Sequence, residues 1–301
     1  MGLITFKKGH IGANLSAHNS FKSFIIFVFM LLMTTSGAMA EVINRLNYDL
    51  NSKTKTATLL PKHDSWYSGG IFVPEKVKGN DGVEYVVTSF GDNCFSYCSL
   101  MTSITIPSSV TSFGKGCFRE CGLTSITIPS SVTSFGDHCF SGCRMTSITI
   151  PSSVTSLGDY CFRGSGLTSI TIPSSVTSLG DYCFSRCSVL TSITIPSSVT
   201  SLGDYCFFNC TRLASITIPS SVTSLGSRCF SFCTRLASIT IPSSVTSLGD
   251  YCFSYCEGLT SITIPSSVTS LGKGCFNGCI KLKRMYFEGA KPEKISDASI
   301  P

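Results

Sequence analysis

Residues 167–187 read Leu167-Thr168-Ser169-Ile170-Thr171-Ile172-Pro173-Ser174-Ser175-Val176-Thr177-Ser178-Leu179-Gly180-Asp181-Tyr182-Cys183-Phe184-Ser185-Arg186-Cys187. Leu167, Ile170 and Ile172 form L-x-x-I-x-I, whose β-branched residues and period-two alternation predict a short strand. Ser169 and Thr171 then fall on the opposite, solvated face. Pro173 has no amide hydrogen and ends the ladder. Val176 and Leu179 turn inward again. Gly180-Asp181 predicts a turn and a helix N-cap, and residues 182–187 about one helical turn. Cys183 and Cys187, four apart, share a face of that turn, with Phe184 as its one large apolar residue.

The stretch is one of many copies. Ser-Ile-Thr-Ile-Pro-Ser-Ser-Val-Thr-Ser occurs eight times, with its proline at 107, 129, 151, 173, 196, 219, 242 and 265. The spacing is first 22 and then 23 residues, and the length change always falls between the second Cys position and the next Leu or Met, which marks an exposed turn. One unit has about eight inward positions and a single short strand, so it cannot bury them alone, whereas stacked copies can. Strands about 4.8 Å apart would build a parallel sheet. The expected fold is a right-handed solenoid: a curved parallel β-sheet faced with Ser and Thr hydroxyls, short helical turns on the convex side, and an N-terminal β-hairpin cap.

The ends depart from the repeat, as capping units should. Residues 41–70 carry Tyr48, Leu50, Thr56, Thr58 and Leu60 in alternation around Asn51-Ser52-Lys53, a hairpin pattern. The solenoid is expected over 71–287, and 288–301 reads as an irregular tail. Lys281, Lys283, Arg284 and Glu288 replace Ser and Thr in the last unit, where charge blunts an exposed strand edge. Before the cap, Lys7, Lys8 and Lys22 precede the apolar run Phe24 to Met33 and the small-residue pattern Ala38-Met39-Ala40. That layout predicts a signal peptide over 1–40, cleaved after Ala40, and hence a secreted or cell-surface chain with no membrane span in its mature part. Its removal leaves 20 basic against 17 acidic residues, too even a balance to argue for nucleic acid.

The seventeen cysteines admit three readings: zinc sites, disulfides and buried thiols. Every complete pair is C-x3-C around Phe with no His nearby, which does not suit zinc. Residues four apart on a helical turn have parallel side chains and would strain a bridge. Ser165 takes the second Cys position in one unit, leaving Cys161 without a local partner. A ladder of small buried thiols tolerates that exchange and is the favoured reading. No metal and no cofactor is expected.

The pattern L-x-x-I-x-I-P-x-x-V-x-x-L-G-x-x-C-F-x-x-C over 71–287 resembles the 23-residue repeat of BspA-like leucine-rich-repeat proteins. These occur in surface and secreted proteins of anaerobic bacteria and some protists. In that family the residue before Phe is usually Ala; here it is Cys. The resemblance implies a non-catalytic adhesin-like role, since some members bind matrix proteins such as fibronectin and fibrinogen. The expected partner is therefore a protein, with a host-cell glycan as a second candidate. A rigid surface spacer with no ligand of its own is the rival reading.

Two sets of residues are candidates for contact. The first is the hydroxyl face: Ser103, Thr105, Ser125, Thr127, Ser147, Thr149, Ser169 and Thr171. The second is the convex column Tyr160, Tyr182, Tyr205, Arg228 and Tyr251, where copies differ. Arg119, Arg163, Arg186 and Asn209 vary in the adjacent turn. The acidic column containing Asp159, Asp181, Asp204 and Asp250 is expected to cap the convex turns. Identical rows of hydroxyls and two isolated histidines after residue 40 do not make a catalytic site.

Overall fold

The computed structural model describes residues 38–62, 65–290 and 294–295. Most of the expected leader lies outside these residues. Ala38–Ala40 are described and belong to β1 (Ala38–Ile43), antiparallel to β2 (Leu46–Asn51). Asn44 and Arg45 join them with φ of 51° and 68°, the left-handed pair that a two-residue hairpin needs. β2 pairs in turn with β3 (Thr56–Leu60), and the Asn51 carboxamide oxygen accepts the amides of Lys53 and Thr54 at the start of the connecting loop. After β4 (Gly69–Phe72) and β5 (Lys76–Lys78) the chain enters β6 (Glu84–Phe90), which lies parallel to β3. The hairpin is thereby the first layer of the stack and covers its exposed edge. Tyr48, Tyr67 and Tyr85 fill this cap, and Tyr67 Oη donates to the Leu60 carbonyl at 2.9 Å.

From β6 onward each coil adds a short parallel rung. Ser89-Phe90 pairs with Ser112-Phe113, then come Ser134-Phe135 and Ser156-Leu157. Bridges through Leu179 carry the ladder to Ser201-Leu202, and it continues to Ser270-Leu271 and Lys294-Ile295. The most continuous ladder thus runs through the Ser-Leu step, which the sequence pattern marked only as an inward turn. The Ser-Ile-Thr-Ile segments pair more sparsely, as in Ser169–Thr171 with Ser192–Thr194 and Ser261–Ile264 with Arg284–Phe287. The proline that follows each segment contributes no donor there.

The expected helical turns are corrected: no helix occurs among the described residues. Tyr182 and Arg186, four apart, have φ of 56° and 62°. They help aim alternate amides along the stack. The N–H groups of Tyr182, Phe184 and Arg186 donate to the carbonyls of Asp204, Cys206 and Phe208 in the next coil, at 2.6–2.8 Å. Those of Cys183, Ser185 and Cys187 close back on Gly180, Tyr182 and Phe184 within the coil. A helical turn would spend its amides internally and leave the next coil's carbonyls without donors, a costly outcome in a buried stack. The acidic column is corrected with it. Asp181 Oδ1 accepts the amide of Asp204 at 2.8 Å, and Asp159 Oδ1 that of Asp181 at 2.9 Å, so the carboxylates join coils instead of capping helices.

The core is a set of columns. The rings of Phe118, Phe140, Phe162, Phe184, Phe207, Phe230, Phe253 and Phe276 stack in succession at 5.4–5.6 Å within 7° of parallel. Fully burying one such ring is worth about 1.5–3 kcal/mol relative to leaving it exposed. Val176, Leu179, Ile170 and Ile172 are buried beside it. All seventeen cysteines are buried and unbridged. The second column has a specific partner: Cys187, Cys210, Cys233 and Cys256 donate Sγ–H to the carbonyls of Phe162, Phe184, Phe207 and Phe230, at 3.1–3.2 Å. Ser165 keeps that column in register, its Oγ 3.4 Å from Cys187 Sγ.

Candidate binding faces

Much of the repeated polarity joins coil to coil. The second Ser after each proline bonds to the preceding coil, as Ser175 Oγ donates to the Val154 carbonyl at 2.5 Å and Ser198 Oγ to that of Val176 at 2.6 Å. Asp181 and its equivalents make the rungs described above. The hydroxyl face is different. Ser103, Thr105, Ser125, Thr127, Ser147, Thr149, Ser169 and Thr171 are all exposed, and none of their hydroxyls bonds to another described residue. These donors and acceptors face water, in rows that repeat almost unchanged.

The second candidate set forms a continuous stack. His138, Tyr160, Tyr182 and Tyr205 lie ring on ring at 4.4 Å and within 10° of parallel. The Arg228 guanidinium continues the column, 5.4 Å from the Tyr205 centroid and 4.8 Å from that of Tyr251. Its Nη1 donates to Tyr205 Oη. The order follows from the left-handed backbone at this position, which projects each side chain over its equivalent in the next coil. Gly116 and Gly274 occupy the same column with φ of 62° and 59°. Desolvation, with Arg119 and Lys115 adding to it, holds the His138 imidazole below its ordinary value and favours the neutral ring.

Beside this column the structure has a slot of about 370 Å³, lined by Tyr205, Phe208, Arg228, Ser231, Phe232, Tyr251, Ser254, Tyr255 and Asn277. One wall is Arg228 and Tyr251. The other is Phe232 and Tyr255, stacked at 4.5 Å and 38% and 40% exposed. Two neighbouring coils with Ser two residues after the first Cys open the floor, and Ser231 Oγ and Ser254 Oγ lie 2.7 Å apart there. At the same position in the flanking coils stand Phe208 and Asn277. The sequence reading named Tyr205, Arg228 and Tyr251 but missed Phe208, Phe232 and Tyr255. The available signal was the aromatic residue placed two or three positions after the first Cys in three successive units. Tyr160 and Tyr182 belong to the column but not to the slot, and Arg119 lies over Tyr97, 5.4 Å from its centroid, at the other end of the stack.

Among the described residues no cluster of three His, Cys, Asp or Glu is placed to hold a metal ion. No described helix is long and apolar enough to cross a membrane.

Stacked 22- and 23-residue coils with an inward L-x-x-I-x-I, a parallel rung per coil and an unbroken Phe column define a leucine-rich-repeat solenoid. The chain belongs to the BspA type leucine-rich repeat family, whose profile matches residues 88–213 and 179–299 with six copies. A leucine-rich repeat protein from Bacteroides ovatus is similar in structure, with 30% identity, a TM-score of 0.66, and coverage of 82% of this chain and 70% of the other. One from Eubacterium ventriosum has 28% identity and a TM-score of 0.54, over 84% and 73% of the two chains. The pneumococcal vaccine antigen PcpA shares the fold at 19% identity and a TM-score of 0.53, over 84% and 82%. No curated protein matches the sequence.

Proposed function

We propose that this chain is an exported, non-catalytic solenoid that binds protein partners at a cell surface or in its surroundings, in the manner of an adhesin. One observation carries the reading: residues that differ between otherwise near-identical copies converge on one slot. A repeated surface offers the same contact everywhere, whereas a specific site needs unlike residues side by side. Tyr205, Arg228, Phe232 and Tyr255 supply that, and Tyr and Arg are residue types that dominate binding energy at interfaces. Export rests on the Lys7 to Ala40 leader pattern. The domain division into leader, cap, solenoid and tail belongs to the same proposal.

The rival spacer reading draws support from the inter-coil bonds of Ser175, Asp181 and their equivalents, which a purely mechanical rod would also need. Binding of the purified chain to immobilised fibronectin, fibrinogen and host-cell glycans separates the two. The control is a variant in which Phe208, Phe232 and Tyr255 are replaced by Ser and Arg228 by Tyr. Saturable binding to a protein that the control loses supports the proposal. Equal saturable binding by both chains places the contact outside the slot, and no saturable binding by the native chain supports the spacer.

A further inference from the structure

The surroundings of Arg228 define a ligand chemistry more narrowly than protein binding alone. Its guanidinium carbon lies between the Tyr205 and Tyr251 rings, 5.4 and 4.8 Å from their centroids, which fixes its position and leaves N–H groups for a partner. One of them goes to Tyr205 Oη. No carboxylate of a described residue pairs with it, since the one salt bridge among those residues is Lys76–Glu84. The neighbouring acidic column is interrupted in this very coil. Ser227 stands where Asp181, Asp204 and Asp250 stand in other units, and its amide is taken by Asp204 Oδ1 at 2.7 Å. The same coil therefore loses a negative charge and gains a positive one, beside an apolar slot walled by Phe232 and Tyr255.

We propose that this slot docks an extended segment of a partner protein that inserts an aromatic or branched aliphatic side chain between the two walls and sets a neighbouring carboxylate on Arg228. The inference rests on the protein-binding reading above and deepens it. A slot of about 370 Å³ lies at the small end of the range for ligand pockets, enough for one or two side chains. The clamped guanidinium is already oriented, so a carboxylate meets it in the bidentate, charge-assisted geometry with little further ordering.

The test is selection of random heptapeptides displayed on phage against the purified full chain. Synthetic versions of the enriched peptides are then titrated against the native chain and against R228Q, R228K and F232A. The expected result is an enriched pattern with Asp or Glu next to an aromatic or large aliphatic residue. R228Q should weaken binding at least about tenfold, as loss of a hydrogen-bonded charge contact does, and F232A by a similar factor through lost apolar burial. R228K should fall between, because it keeps the charge and loses the planar fork. Unchanged melting of the variants excludes a folding defect, and the three variants guard against one of them misfolding. Enriched peptides without an acidic residue, or affinities within about twofold across the variants, overturn the slot. If those peptides instead lose binding when Ser169, Thr171, Ser192 and Thr194 are replaced, the slot proposal falls while protein binding stands. If no peptide is enriched and the matrix-protein assay is also negative, both fall.

Discussion

Cys210 donates its thiol hydrogen to the carbonyl oxygen of Phe184, one coil earlier and 3.2 Å away. The bond distinguishes two cysteine columns that look alike in sequence. Ser165 shows that a hydroxyl fits the second column. Cys117, in the first column, is fully buried and its Sγ has no hydrogen-bond partner among the described residues. C210S should therefore cost less than about 1 kcal/mol, whereas C117S buries an unsatisfied hydroxyl and should cost about 1–3 kcal/mol. Urea unfolding of the two variants measures the difference. Equal losses would show that the thiol bond contributes nothing.

Burial also pushes the thiols up, to about 11 at Cys187 and about 12 at Cys233, so little thiolate exists near neutrality. Iodoacetamide at pH 8 should leave the native chain unlabelled and should alkylate all seventeen cysteines in denaturant without any reductant. A mass increment that appears only after reduction would instead reveal bridges.

The inward set was legible because period two, then Val and Leu at fixed offsets, can be counted along the chain. Ile170, Ile172, Val176, Leu179, Cys183, Phe184 and Cys187 are all buried. The turn was not legible from one unit. Asp181 before a Tyr-Cys-Phe run has local helix-start preferences, but the acceptors that decide its backbone, the carbonyls of Asp204, Cys206 and Phe208, belong to the next copy. A clue lay in the alignment of copies: Gly116 and Gly274 stand in the Tyr182 column, and Gly142, Gly164 and Gly278 in the Arg186 column. Glycine recurring at two positions four apart is a sign of left-handed backbone. The slot was hidden for the same reason, since Phe208 and Phe232 become neighbours only when coils are stacked.

Asp181 offers a test of the inter-coil rung. Its Oδ1 accepts from Asp204, and a side-chain amide oxygen does so equally well. D181N should retain stability or gain slightly, because it relieves repulsion within a column of like charges. D181A should cost about 1 kcal/mol, the usual net value of one hydrogen bond. A D181N loss as large as that of D181A would show that the charge, and not the acceptor, matters.

His138 predicts a pH dependence with a definite sign. Its folded-state pKa lies below the ordinary imidazole value of 6.5, so the unfolded chain binds the proton more readily. The stabilisation is present above the unfolded value and is lost as pH falls through it towards the folded one. Melting temperature should decline on acidification below about pH 6.5 before the carboxylates titrate. H138Y, which extends the Tyr160 stack without a titrating ring, should flatten that part of the profile. An unchanged slope in H138Y would move the origin elsewhere.

The hydroxyl face can be separated from stability because its hydroxyls make no inter-coil bond among the described residues. Ser169 and Ser192 are paired across adjacent strands and exposed, as are Thr171 and Thr194. Replacing Ser169 and Thr171 by Lys, and Ser192 and Thr194 by Glu, places opposite charges across each pair and avoids like-charge repulsion. Each substitution should shift stability by no more than about 0.5 kcal/mol, as surface changes without buried partners do. By contrast, S175A removes the donor to the Val154 carbonyl and should cost about 1 kcal/mol although it alters a single hydroxyl. With folding held constant, a fourfold change of the face becomes a clean probe of contact. Binding through the Arg228 slot should survive it, measured as the affinity of the slot-selected peptides. If whole-protein binding is lost while those peptides still bind, the partner extends from the slot across the hydroxyl face.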